Sequence, residues 1–255
     1  MKYITLLLFS TLTILLASCF PSSLITTPEP VIAKIIEYDF VPPSKAEEKT
    51  DLSLIILNPE YAKGFEYEKQ SMFVNFIDNM GVDFEEMLIA KGYSLRGPFD
   101  TYDEIVYADK SETDLMLKIE IDFSYEWAYD AIKDKPLYGY KGSLSGYSFQ
   151  RDGNLSIGGK INLTIKESLT QEKLWVKSIK LDKKNVGIHT ARYRVQNKQE
   201  GMNAIASDPQ YVTVMYEALD SYYQKALKTA WNHLEPAELE PLKTQVKDLR
   251  SKKGY

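Results

Sequence analysis

Cysteine occurs once in this chain, and its position favours covalent lipid chemistry. Cys19 closes the string Leu16-Ala17-Ser18-Cys19, directly after an apolar stretch that begins at Ile4. Lys2 gives the start a positive charge, so the segment has the layout of a secretory signal peptide. The apolar run is shorter than the roughly 20 residues that a membrane-spanning helix needs. The sequence therefore predicts export of the chain rather than a permanent transmembrane anchor.

A thiol at the cleavage point is similar to the signal of bacterial lipoproteins, in which the sulfur takes a diacylglyceryl group before the chain is cut. The resemblance implies that the chain is cleaved before Cys19 and that the new amine is acylated, so labelled palmitate should be incorporated. Anchoring by two or three acyl chains is essentially irreversible. Phe20 stands where an Asp marks inner-membrane retention, so the resemblance implies the outer membrane. The alternative is an ordinary signal peptide with a spare cysteine.

Composition describes an ordinary acidic globular protein. The 255 residues carry a net charge of −5, and 44% of them are hydrophobic, so the sequence predicts no general attraction to nucleic acid. Without a second cysteine no disulfide forms within the chain, and the core alone must hold the fold. We expect residues 1–18 to be the lipoprotein signal peptide, 19–30 a lipidated tether rich in Pro, Ser and Thr, and 31–255 one domain.

Catalytic and metal-binding chemistry has little support in this sequence. The only histidines are His189 and His233, which lie far apart, and no phosphate-binding loop or nucleophile elbow is present. Gly158-Gly159-Lys160 lies between strand-like segments and predicts a bulge rather than a phosphate cradle. We therefore expect a protein that is not an enzyme and has no metal and no cofactor.

The hydrophobic periodicity predicts an α+β fold: a single domain with a twisted mixed sheet, helices packed mainly on one side and two C-terminal helices. The predicted strands are 31–40, 52–57, 93–95, 115–123, 138–150, 155–167 and 174–181, with turns at Asp152-Gly153 and 168–171. The predicted helices are 70–91, with a possible kink at Gly81, 102–108, a helix opened by Asp208-Pro209 that runs to Trp231, and 236–250. Residues 182–207 are expected to form a long surface loop.

Aromatic and charged side chains concentrate between residues 123 and 140, where a binding site has most support. Aromatic faces beside charged donors are a common way to hold sugars and peptides. The candidate glycan-binding residues are Trp127, Tyr129, Lys133 and Lys135. The alternative is that the alternation from Phe123 to Tyr129 marks one face of a strand that packs against the core.

Several stretches of the mature chain carry a resemblance to a known family. They are Val31-Ile-Ala-Lys-Ile-Ile-Glu-Tyr38, the strand that ends at Asn58-Pro59, the helix exit Lys91-Gly92-Tyr93, Ile161-Asn-Leu-Thr-Ile-Lys-Glu167, and the closing helices from Asp208 to Lys252-Lys253. In their order and character they resemble the Helicobacter neuraminyllactose-binding hemagglutinin family of surface and flagellar-sheath lipoproteins.

The resemblance implies a cell-surface or sheath lipoprotein that adheres to sialylated host glycans. The family's proposed sialic-acid motif is a run dense in Lys and Arg, whereas residues 130–136 offer only Lys133 and Lys135. We expect the neighbouring Asp130 and Asp134 to cancel much of their field, so that any binding is weak. The alternative function is an envelope or sheath structural lipoprotein that binds envelope proteins and no glycan.

Overall fold

A seven-stranded mixed sheet forms the centre of the computed structural model, which describes residues 32–255. The strands are β1 (Ser53–Leu57), β2 (Glu60–Tyr61), β3 (Ser94–Phe99), β4 (Leu115–Tyr138), β5 (Leu144–Glu167), β6 (Lys173–His189) and β7 (Tyr193–Val195). Their order is β3-β1-β4-β5-β6, with β2 paired to β4 and β7 paired to β5. The signal peptide, the tether and Cys19 lie outside the described residues.

The described helices agree with an α+β fold. They are α1 (Ser71–Ala90), α2 (Tyr107–Glu112), α3 (Lys198–Ala206), α4 (Pro209–His233) and α5 (Pro236–Lys253). Strands β1, β3 and β4 run parallel to one another, whereas β4, β5 and β6 form an antiparallel meander. None of the helices in the described range is both long and apolar enough to span a membrane.

Helices α1 and α4 cover one face of the sheet and form the main core. The three- and four-residue spacing on α1 puts Phe73, Met80 and Phe84 on one fully buried stripe. Leu219 of α4 is also fully buried. Helix α1 continues through Gly81, where an added Cβ would lie 3.2 Å from Pro59 Cδ, so the glycine permits close packing and causes no break.

The opposite face of the sheet is largely open and polar. A small apolar cluster of Ile55, Leu57, Ile105 and Met116 covers it near β1. Along β4 the buried side chains alternate with half-exposed polar ones such as Lys118, which is the pattern of a strand with one solvated face. Helices therefore pack mainly on one side, as the periodicity predicts.

Several sequence predictions are wrong in detail. The helix predicted at 102–108 is a single 3-10 turn at Tyr102–Glu104, and α2 begins only at Tyr107. Residues 33–40 form no strand; this extended segment lies along α4, where the Lys34 amide donates to Thr213 Oγ1 at 2.9 Å. Asp152-Gly153 is no turn, because β5 continues through both residues. The predicted loop 182–207 instead contains the end of β6, β7 and α3, which pair with or pack on β5.

Candidate functional site

The candidate residues lie on a hairpin that we call the arm, formed by residues 129–153 together with β7. The arm is the continuation of β4 and β5, which pair in register from the body to Tyr138 and Leu144. A tight turn from Gly139 to Ser143 closes it, with the Gly139 amide donating to the Ser143 carbonyl at 2.7 Å. Strand β7 adds a third strand alongside β5. The arm is therefore a short three-stranded sheet whose two faces carry different residues.

A bulge at Ala128 decides which side chains share a face. Trp127 pairs with Leu155, but Tyr129 pairs with Asn154, so β4 has one more residue than β5 at this point. A shift of one residue moves every later side chain to the other face. Trp127 consequently lies on the face that continues the helix-covered core, which we call the inner face. Tyr129, Lys133 and Lys135 lie on the outer face.

Trp127 takes part in a packed stack on the inner face. The guanidinium carbon of Arg151 lies 3.8 Å from the centre of the Trp127 ring. Arg151 also donates two hydrogen bonds to Asp130, at 2.8 Å from Nε and 2.7 Å from Nη2. An added Cβ on Gly153 would lie 2.7 Å from the indole. Trp127 is thus a half-buried packing residue, and the structure does not bring it together with the two lysines.

The acidic residues expected to weaken the site also lie on the inner face. Asp130 is occupied by Arg151. Asp134 pairs with Lys198 at the start of α3 at 2.6 Å, and this hydrogen bond and charge hold the pKa of Asp134 below its usual range. The expectation that Asp130 and Asp134 offset Lys133 and Lys135 is therefore wrong, because the strand pleat separates the two pairs.

On the outer face, Tyr129, Lys133 and Lys135 lie along one line of β4. Tyr129 is 59% exposed and presents an aromatic ring to solvent. Lys133 forms an ion pair with Asp152, and His189 Nδ1 lies 3.3 Å from the same carboxylate. The hydrogen bond from Lys133, followed by that from His189, holds the pKa of Asp152 below its usual range.

Two arginines of the segment predicted as a loop complete the outer face. Arg194 of β7 pairs with Ser148 of β5, and Ser148 pairs on its other side with Lys135 of β4. The three side chains therefore form one row across the strands. Arg192 lies two residues earlier and approaches Gln150 Oε1 at 3.5 Å. The alternation Arg192-Tyr193-Arg194 carried a strand signal that the sequence analysis missed.

A depression of about 260 Å³ lies within this face. It is lined by Lys133, Lys135, Pro136, Leu137, Ser148, Gln150 and Arg192. Among the residues that the structure describes, Lys135, Arg192 and Arg194 have no carboxylate within ion-pair distance. The arrangement can attract a negatively charged ligand, with Gln150 and Ser148 as hydrogen-bonding groups. The exposed ring of Tyr129 offers an apolar surface farther along the same face. In the described part of the chain, no cluster of three or more His, Cys, Asp or Glu residues could hold a metal ion.

Comparison with known proteins gives a similarity of fold. No protein-family model matches the chain, and no curated protein matches its sequence. Among solved structures, a neuraminyllactose-binding hemagglutinin homolog from Helicobacter pylori aligns with a TM-score of 0.51 at 15% sequence identity, over 82% of this chain and 99% of that one. At this identity the likeness shows a shared fold.

Weaker alignments include lipoproteins of other bacteria. A lipoprotein from Neisseria meningitidis aligns over 61% of this chain and 94% of its own at 15% identity, with a TM-score of 0.27. Rare lipoprotein B from Shewanella oneidensis aligns over 74% of this chain and 98% of its own, at 9% identity and with a TM-score of 0.20. Similarities of this size carry no argument about function.

Proposed function

We propose that this chain is an outer-membrane or flagellar-sheath lipoprotein, anchored through Cys19, that acts without catalysis as an adhesin for acidic glycans. The outer face of the arm is the binding surface. The observation that carries the proposal is the grouping of Lys133, Lys135 and Arg192 around one depression, with no neutralising carboxylate on Lys135 or Arg192. The exposed Tyr129 lies farther along the same face. A cation beside an aromatic platform is the combination that a carboxylated sugar requires.

One further observation supports the proposal. The fold is shared with the hemagglutinin homolog from Helicobacter pylori.

Substitution of Cys19 tests the anchor. The Cys19→Ser variant should take up no labelled palmitate, and it should accumulate as uncleaved or periplasmic protein. The wild-type chain expressed at the same level is the reference. Normal acylation of the variant would show that the lipid is attached elsewhere or that the signal is an ordinary one.

Ligand-observed NMR with sialyllactose tests the glycan site. We expect the wild-type protein to bind with millimolar affinity, about 4 kcal/mol, which becomes effective on a surface that carries many copies. The Lys133→Ala, Lys135→Ala variant should lose the signal, whereas a Lys63→Ala, Lys69→Ala variant, changed on an exposed loop outside the arm, should keep it. Equal binding by the first variant refutes the site. If the wild-type protein binds neither sialyllactose nor any glycan on an array, the alternative function is favoured, a structural lipoprotein that binds envelope proteins.

A further inference from the structure

Four cations form a grid on the outer face of the arm. Lys133 and Lys135 lie two residues apart on β4, and Arg192 and Arg194 lie two residues apart at β7, with β5 between them. Neighbouring strands are about 4.8 Å apart and alternate residues about 6.8 Å apart. The backbone positions of the four cations therefore outline a rectangle of roughly 7 by 10 Å.

The grid has a strong net positive charge on a protein whose overall charge is −5. On the strand positions of this face, from Tyr129 to the tip of the arm, the only carboxylate is Asp152, and it is shared by Lys133 and His189. Asp130 and Asp134 lie on the inner face with Arg151 and Lys198. Within the described residues, three cations of the grid thus repel one another without compensation, and a ligand that carries several negative charges relieves this repulsion.

The shape of the surface favours an extended ligand. The depression between Lys135 and Arg192 has a volume of about 260 Å³, below the roughly 300–1,000 Å³ of sites that enclose one small molecule, and Arg194 lies outside its lining. A single carboxylate contacts only one or two of the cations, because they are separated by several ångströms. Anionic groups on successive sugars contact the whole grid, while the exposed ring of Tyr129 packs against a sugar face.

We propose that the outer face of the arm binds polyanionic glycans, which carry sulfate, phosphate or uronate groups on successive sugars, in preference to singly charged sialosides. Lys135, Arg192 and Arg194 supply the main contacts. The proposal rests on the glycan-binding function proposed above and names the ligand class of that site.

Calorimetry tests this inference. It measures the binding of a heparin-derived hexasaccharide and of sialyllactose to the full-length protein in detergent at 0.15 M salt. The hexasaccharide should bind at least about 10-fold more tightly than sialyllactose. Three exposed ion pairs of about 0.5 kcal/mol each together correspond to a factor of about 10 in the dissociation constant. Its affinity should also fall steeply with salt, as expected when bound counterions are released from a polyanion.

A matched pair of charge variants separates the grid from general charge. Lys135→Gln, Arg192→Gln, Arg194→Gln should weaken hexasaccharide binding about 10-fold or more. Lys45→Gln, Lys69→Gln, Lys228→Gln removes the same charge at exposed positions outside the arm and should change it less than about 2-fold. The Arg192→Lys, Arg194→Lys variant keeps the charge and should retain binding, which controls for folding of β7.

Each other outcome overturns a stated part of the argument. If sialyllactose binds as tightly as the hexasaccharide, the glycan-binding function stands and the polyanion preference is wrong. If both charge variants lose binding equally, or if a single-stranded DNA of similar charge binds as tightly as the hexasaccharide, the surface is a general anion attractor and the inference fails. If neither glycan binds to the folded wild-type protein, the proposed function fails as well.

Discussion

The C-terminal helix is fastened to the sheet by one buried ion pair, and breaking it should be costly. Arg250 of α5 donates to Glu167 Oε1 from Nε at 2.8 Å and from Nη2 at 2.6 Å. It also donates to the carbonyls of Ser111 and Thr113, both at 2.6 Å, to the Lys110 carbonyl at 3.3 Å and to Ser168 Oγ at 2.9 Å. The Glu167 side chain is fully buried, and that of Arg250 is 20% exposed. One guanidinium therefore joins α5, β5 and the end of α2.

The Arg250→Met variant should lose about 3–5 kcal/mol of unfolding free energy at pH 7, because it leaves a charged carboxylate buried without its cation. The matched control is Arg96→Met, which removes a half-exposed arginine from ion pairs with Asp109 and Glu112 and should cost less than about 1 kcal/mol of unfolding free energy. Urea denaturation of the purified proteins measures both. A loss at Arg250 no greater than that at Arg96 would refute the reasoning.

The pH dependence supplies a second test with a definite sign. Burial acts to raise the pKa of Glu167, but hydrogen bonds from Thr170, from the Leu169 amide and from Arg250 outweigh it and hold the pKa below its usual range. Wild-type Glu167 therefore contributes stability above its unfolded pKa of about 4.3, which is lost as pH falls through the folded pKa. Without Arg250 the pKa of Glu167 rises, and the folded variant takes up a proton as the pH falls. The difference in unfolding free energy between variant and wild type should therefore be smaller at pH 5 than at pH 7. A constant gap contradicts this account.

Three further substitutions test the packing by denaturation midpoint. Gly153→Ala should destabilise by about 1–3 kcal/mol because its methyl group meets the Trp127 ring, whereas Gly187→Ala, with no heavy atom nearer than 3.9 Å, should be nearly neutral; equal effects contradict the stack. Leu219→Ala should cost about 2–5 kcal/mol, and an unchanged midpoint means that this face of α4 is not buried. Tyr222→Phe should cost about 1–3 kcal/mol, because the one hydroxyl proton of Tyr222 is shared between the Ile157 and Asp182 carbonyls, each 2.7 Å from the hydroxyl oxygen; an unchanged midpoint contradicts this bond.

Elements with local signals were predictable from the sequence. Asp208 caps α4 by accepting from the Gln210 and Tyr211 amides, with Pro209 in the first turn, as the residue types predict. The end of α1 shortly before Gly92, whose φ is +88°, also follows from a local preference. These features depend on residues within one or two turns of each other, so no tertiary contact is needed to identify them.

Elements that depend on distant contacts were not predictable. Asp152-Gly153 has the composition of a turn, yet the Trp127 ring occupies the space beside Gly153 and the pairing of β5 with β4 and β6 keeps it extended. The extended chain at 33–40 has apolar residues typical of a strand, but its Tyr38 ring packs against Phe76 and Tyr223. Within residues 32–255 no strand pairs with it. Tertiary packing overrides local preference in both places.

The candidate site was predictable only in part, for a geometric reason. Tyr129, Lys133 and Lys135 do share a face, as simple alternation predicts. Trp127 belongs to the same alternation in the sequence, but the extra residue at Ala128 transfers it to the other face. Arg192 and Arg194 lie more than fifty residues after Lys135 in the sequence, and they join the site only because β7 pairs with β5.

The two faces of the arm allow its stability and its binding to be changed separately. On the inner face the carboxylates of Asp130 and Asp134 are bonded to Arg151 and Lys198, and Tyr193 donates to Asp208 at the start of α4. The bonds of Lys198 and Tyr193 hold the arm and β7 against α3 and the start of α4, whereas the Arg151 bond joins β4 to β5 within the arm. Both inner carboxylates are thus paired and do not neutralise the outer cations. The same pleat that separates the faces therefore concentrates positive charge on the outer one. Substitutions on the inner face should act through folding, whereas those at Lys135, Arg192 and Arg194 should act through binding.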